Sequence, residues 1–253
     1  MTRGTRLLLV AAAVVLLAPF LAPYAPDAID LASRRAAPSF GHWFGTDDLG
    51  RDAFSRALFG GRVSVAIGLL SALVAVSVGV AVGAFAAYFG GWLDTVLMRA
   101  TDALLAIPRL LLLAVAAATL QPSIPVLVLL VGAVGWMETA RVTRAAVRGL
   151  VSADFVSAAR ASGAGHLRIV QRHLLPNVGG AIRTAAVLAV GRAILLESAL
   201  SFFGVGVQPP DATWGSMLYQ AQSAMSTEPW LALFPGACIV VTVGGLTMAA
   251  DRR

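Results

Sequence analysis

Lysine is absent from this chain of 253 residues: all 19 basic residues are Arg, against 13 acids. A phosphate-cradling loop of the Walker type needs a Lys to reach the phosphates, so the chain has no such ATPase site of its own. Lysine Schiff-base chemistry is excluded on the same ground. Cysteine is nearly absent too. Cys238 stands alone in an apolar run, so there is no intrachain disulfide and no thiolate cage. The three His residues are His42, His166 and His173. His166 and His173 are seven apart but lack a third ligand, so no metal site is expected. Charge of either sign is scarce, at 13% against about 25% in soluble domains. The sparse acids and His form no cluster at one depth, which argues against a membrane enzyme.

What fills the chain instead is apolar: 58% of residues are hydrophobic and mean hydropathy is +0.81. A soluble fold of this size could not hide that much apolar surface, so a multi-pass membrane protein follows. A spanning helix needs about 20 mostly apolar residues. Six segments read as spans, the fourth of them short: Leu7–Ala22, Val63–Phe89, Ala103–Leu120, Ile124–Met137, Ala181–Phe203 and Leu231–Ala250. The first can also be read as a secretory signal, since Arg3 and Arg6 precede a short apolar core, but no clear A-x-A site follows it. The expected fold is a single all-α transmembrane domain over residues 1–253.

Charge sets the orientation. The 138–180 connection carries Arg141, Arg144, Arg148, Arg160, Arg168 and Arg172 against Glu138 and Asp154, whereas the 204–230 connection has no Arg. The positive-inside rule makes the first cytoplasmic and the second external. Both termini then lie in the cytoplasm. Topology thus accounts for the net charge of +6, and no nucleic-acid partner is implied. The external 23–62 loop, with five Arg and five Asp, is neutral on orientation. Trp92, Trp136, Trp214 and Trp230 fall near span ends, as in an interfacial belt.

The most unusual stretch is DFVSAARASGAGHLRIVQRHLLPN, Asp154–Asn177. Asp154 favours a helix start. Phe155, Ala158, Ala159 and Ser162 recur at spacings of three and four, making a small apolar face. Gly163 and Gly165 break the helix, and Pro176 ends a second one before the fifth span. This helix–turn–helix on the membrane surface either docks into a groove of another protein or is a plain interfacial amphipathic helix.

Further polar positions stand out. Asp47, Asp48, Arg51 and Asp52 form a turn-rich external cluster, read either as a self-satisfied ionic network or as a docking point for a delivering protein. Arg192 and Glu197 lie inside the fifth span, where ionisable groups face a cavity or a partner. Being five apart they point in different directions, and they either line a path or hold helices together. Arg99 and Asp102 are spaced as a local i, i+3 pair. Gly191, Gly204, Gly206, Gly236, Gly244 and Gly245 allow close helix approach near the last two spans.

SAARASGAGHLRIVQRHLLPN resembles the cytoplasmic EAA loop of ABC-importer permeases. HWFGTDDLGRDAFSRALFGGRVSVAIGLL (His42–Leu70), GGWLDTVLMRATDALLAIP (Gly90–Pro108) and ESALSFFGVGVQPPDATWGSML (Glu197–Leu218) are similar to the peptide and nickel branch of that family, closest to its C-type dipeptide and oligopeptide permeases. The resemblance implies the ABC-importer permease fold in a bacterial inner membrane. It implies ATPase coupling through Asp154, Ser157, Ala158, Ala159, Gly163, Ala164, Gly165, Leu175 and Pro176, with Ser157 where an acid is usual. It implies four partners besides lipid: a second homologous permease subunit, two ATPase subunits that bind the ATP and Mg, and an external substrate-binding protein. No cofactor belongs to this chain. At Asp251-Arg252-Arg253 the sequence lacks the longer charged tail common in the family. Di- or oligopeptides are the expected cargo, with nickel or another small solute as the alternative. A self-contained secondary transporter is less favoured, because residues 1–120 and 121–253 show no inverted repeat.

Overall fold

The computed structural model describes Ala13, residues 17–120 and residues 123–251. Helices dominate, and the described residues contain no strand beyond one isolated bridge between Thr46 and Asp52. In chain order the helices are α1 (Ala18–Leu21), α2 (Ala53–Phe89), α3 (Gly91–Ala106), α4 (Arg109–Leu120), α5 (Ile124–Arg148) and α6 (Asp154–Ala161). They continue with α7 (His166–Ile169), α8 (Leu175–Asn177), α9 (Gly179–Phe202), α10 (Trp214–Ala221) and α11 (Trp230–Ala250). A π-helical turn, Val170–Leu174, joins α7 to α8.

Four helices (α2, α5, α9 and α11) are long and apolar enough to cross a bilayer. Helices α3 and α4 make a fifth crossing if taken together, although they bend by 79°. The bend falls at Ile107-Pro108, where Ile107 is extended at φ −79° and ψ 129°, the conformation that a following proline imposes. Most of the first expected span, Leu7–Ala22, lies outside the described residues, and its end forms α1.

Two helices outrun their expected boundaries. Helix α2 begins at Ala53 rather than Val63 and is 37 residues long, about 55 Å at 1.5 Å per residue. That exceeds the ≈ 30 Å hydrocarbon core, so it projects from the bilayer. Asp52 starts it: its carboxylate accepts from the Ser55 N–H at 2.8 Å, a cap worth about 1 kcal/mol. Arg56 sits in the first turns with a side chain only 2% exposed, held by the Pro26 carbonyl at 3.2 Å and by Asp27 and Asp47. Helix α5 likewise runs through Glu138 to Arg148, which leaves Trp136 in mid-helix.

The most extensive contact is between α2 and α5. Gly79 and Gly83, one turn apart on α2, lie against the Trp136–Arg144 backbone of α5. A Cβ at Gly83 would stand 2.3 Å from the Ala140 carbonyl oxygen. Gly132 and Gly135 reciprocate against Val74 and Ala75. In lipid the driving force for helix association is close packing, and small residues permit it. Among the glycines singled out from sequence, Gly191 packs on Val243 and Leu246 of α11, whereas Gly244 meets nothing within 4 Å.

The 204–230 segment folds back rather than looping free. Helix α10 opens on a capping box between Thr213 and Ser216 and packs on α9 and α11. Trp214 is 2% exposed, and its indole N–H donates to the Ala57 carbonyl at 2.9 Å. It is a core residue, not part of an interfacial belt, because the returning segment carries it into the helix bundle.

Candidate functional site

The Asp154–Asn177 stretch forms a compact platform under the end of α2. Val156 of α6, Ile169 of α7 and Leu174 are fully buried, packed with Ala84, Ala87 and Tyr88. Tyr88 also grips the platform by its polar end. Its hydroxyl lies 2.8 Å from His166 Nδ1, and the Arg160 guanidinium sits 5.3 Å from its ring centroid, within cation–π range. The other face of α6 is open: Asp154, Phe155, Ser157, Ala158 and Arg160 are exposed and Ala159 is half-buried. Gly163 follows at φ +78°, a left-handed turn that a side chain would strain, and nothing lies within 4 Å of its would-be Cβ or that of Gly165. Ala164 and Leu175 are half-buried and Pro176 exposed. An open hollow lined by Gly163, Gly165, His166, Arg168 and Arg172 adjoins the helix.

The Asp47–Asp52 cluster is largely turned inward. The Asp47 carboxylate accepts from the Arg51 backbone N–H at 3.0 Å and from Arg51 Nε at 2.7 Å, with Arg56 Nε at 3.5 Å. Asp52 caps α2 and meets His42 Nδ1 at 2.9 Å. Asp47, Arg51 and Asp52 are buried, whereas Asp48 is exposed. Gly50, at φ +74°, lets the chain pass where a Cβ would fall 1.7 Å from the Asp30 carbonyl oxygen. Outside the membrane, the Ser33 hydroxyl and the Ala32 N–H hold the Asp30 carboxyl below its ordinary value.

Glu197 is fully buried. Its oxygens accept from the hydroxyls of Ser201 at 2.8 Å and Ser64 at 3.2 Å. Ser64 in turn accepts from the Trp214 backbone N–H at 3.2 Å. One carboxyl thus ties α9 to α2 and to the start of α10.

Arg192 points elsewhere, as the five-residue spacing requires. Its Nη1 lies 2.7 Å from Glu138 Oε2 on α5, and the other Glu138 oxygen accepts from Arg109 Nη2 of α4 at 2.6 Å. Three helices therefore meet at one carboxylate. Along the sequence Glu138 reads as a loop charge and Arg109 goes unmarked. The signal was an acid inside a continuous helical pattern and an Arg directly after Pro108.

Asp102 does not pair with Arg99. Arg141 of α5 reaches it, with Nε at 3.0 Å, and Arg144 binds Asp94 through two nitrogens, Nη2 at 2.6 Å. The reason is helix approach: α5 runs beside α3, and its Arg row comes nearer than a neighbour on the same helix. Among the described residues no group of His, Cys, Asp and Glu could hold a metal ion.

Residues 79–252 match the family described as binding-protein-dependent transport system inner membrane component. A putative peptide permease protein of Brucella suis biovar 1 (strain 1330) is 39% identical over 239 residues, covering 94% of this chain and 79% of that protein. A putative peptide transport system permease protein of the same organism is 36% identical over 248 residues, covering 98% and 83%. The dipeptide transport system permease protein DppC of Bacillus subtilis (strain 168) is 34% identical over 249 residues, covering 98% and 78%. From its apolar helices to the matched stretch that holds both the 154–177 platform and the buried Glu197, this chain belongs to the inner-membrane components of binding-protein-dependent transport systems, the permeases of ABC importers.

Proposed function

We propose that this chain is one of two non-identical permease subunits of a peptide importer and carries half of the path for di- or oligopeptides. Two ATPase subunits bind its cytoplasmic side and supply the ATP and Mg chemistry. An external binding protein delivers the cargo, and Asp48 is the exposed acid of the 47–52 cluster within its reach. Both termini lie in the cytoplasm. Helix α6 enters a groove of an ATPase subunit. When the ATPases close, α6 moves with them and the spans rock between inward-open and outward-open states.

The observation that carries this reading is the build of α6, with Val156 anchoring it to the end of α2 while Phe155, Ser157 and Ala158 of its outer face stay uncovered. A short helix with that face suits a groove. A plain interfacial helix would need larger apolar groups toward the lipid. The printed names of the relatives, peptide and dipeptide permeases, favour peptides as the cargo.

The test is uptake by proteoliposomes holding this chain, its partner permease, both ATPases and the binding protein. Gly163→Val, or Ala158→Glu with Ala159→Glu, should reduce dipeptide uptake at least tenfold while the complex still inserts and hydrolyses ATP. Wild-type uptake by these variants would overturn the coupling role.

A further inference from the structure

The Arg109–Glu138–Arg192 group has a composition that helix packing alone does not explain. Glu138 lies fourteen residues past Ile124, about 21 Å along α5 at 1.5 Å per residue. Arg192 lies thirteen residues past Gly179 on α9, about 20 Å along. Both therefore sit near mid-helix, deep within the span. Two guanidiniums share one carboxylate, which leaves a net charge of +1. The side chains of Arg109, Glu138 and Arg192 are 23%, 33% and 37% exposed. A net charge facing hydrocarbon is costly, and intramembrane ionisable groups face water-filled cavities or partners. Such a face of α4, α5 and α9 suits water or a partner subunit rather than lipid.

The donors outnumber the acceptors. Each guanidinium carries five N–H groups, and among the described residues Glu138 is the one side chain that either Arg contacts as an ion pair. Ser71 of α2 is 1% exposed, its hydroxyl has no hydrogen-bond partner, and it lines the same recess as both Arg residues. Ala75, Gly135 and Ala189 share the wall with the larger Val131 and Leu196. The clear space is ≈ 10 Å³, about that of one water, and Glu138 holds both guanidiniums beside it.

We propose that Arg109 and Arg192, with the Ser71 hydroxyl, form a carboxylate-binding subsite on the transport path, taking the C-terminal carboxylate of a passing peptide in place of Glu138. Arg pairs suit planar carboxylates because their donors lie in a rigid fork. Glu138 is an internal stand-in for the substrate group. When it swings away the cargo is held, and when it returns the cargo is expelled. The subsite rests on the peptide reading above, and it assigns a direction to the cargo: the negative end meets this subunit.

The test measures binding to the detergent-solubilised full complex by calorimetry, without the binding protein. The probes are alanyl-alanine, its C-terminal amide and acetate. Glu138→Gln removes the competing carboxylate and should tighten alanyl-alanine binding at least tenfold over wild type, with no gain for the amide. Arg192→Gln should abolish alanyl-alanine binding in either background, and it supplies the answer alone if Glu138→Gln does not assemble. Equal gains for acid and amide, or no dipeptide binding by any variant, would overturn the subsite. Acetate binding as tight as the dipeptide would overturn the peptide assignment and leave a generic anion site. A wild-type complex that binds alanyl-alanine here yet fails to transport it with its binding protein would count against the cargo reading, not the subsite.

Discussion

Gly83→Ala is the sharpest probe of how this bundle is held. The added Cβ would stand 2.3 Å from the Ala140 carbonyl oxygen and 3.0 Å from the Arg144 nitrogen. Carbon–oxygen contacts relax at about 3.3 Å, so α2 and α5 must part by about 1 Å. The opposing atoms are backbone and no rotamer change relieves them. Overpacking of this kind costs about 1–3 kcal/mol. Alanine regains about 0.8–1 kcal/mol of helix propensity over glycine. The balance is a loss of up to about 2 kcal/mol. Gly244→Ala is the internal control, since nothing lies within 4 Å of that Cβ. It should stabilise by about 0.5–1 kcal/mol through propensity alone. Both can be read from SDS-titrated unfolding in detergent, followed by the fluorescence of the five Trp residues. If Gly83→Ala unfolds no earlier than wild type, or if Gly244→Ala loses as much, close backbone approach is not what joins α2 to α5.

Two further outcomes are expected. The Ser201 and Ser64 hydroxyls donate to different oxygens of Glu197, so Glu197→Gln keeps an acceptor for one of them and offers the other an amide donor, whereas Glu197→Ala leaves both without a partner, at about 1–3 kcal/mol for each orphaned group. In the same unfolding assay the Ala variant should fall well below the Gln variant, and equal losses would show that the hydroxyl network contributes nothing. Tyr88→Phe removes the bond to His166 while keeping the ring under Arg160, a loss of about 0.5–1.5 kcal/mol. Amide exchange across residues 154–177 should quicken with little change elsewhere, and an unchanged pattern would refute Tyr88 as an anchor of the platform.

Much of this architecture can be read along the chain because it depends on local composition. The apolar runs announce helices that cross a bilayer, since backbone groups in hydrocarbon must be satisfied within the segment. The break at Gly163 is equally local, since its φ of +78° suits glycine above other residues. Yet Arg56 and Arg62 made the first turns of α2 resemble a loop, because hydropathy counts a charge without knowing that Asp47 and Asp27 neutralise it.

Partner choice, by contrast, belongs to the folded bundle. That Asp102 meets Arg141 rather than Arg99, that Trp214 is buried against Ala57, and that Glu138 joins Arg109 to Arg192 all follow from which helices touch and at what rotation. The spacing of Gly79 and Gly83 marks a close-packing face in the sequence, but α5 as the element it meets is set by the assembled helices. Sequence alone determined that this chain is a membrane-embedded helical protein with a polar, glycine-broken connection before its α9 span and no phosphate-binding lysine. Tertiary structure alone decided where each buried charge finds its counter-charge, because electrostatic energy depends on distances between helices and sequence separation carries no record of them.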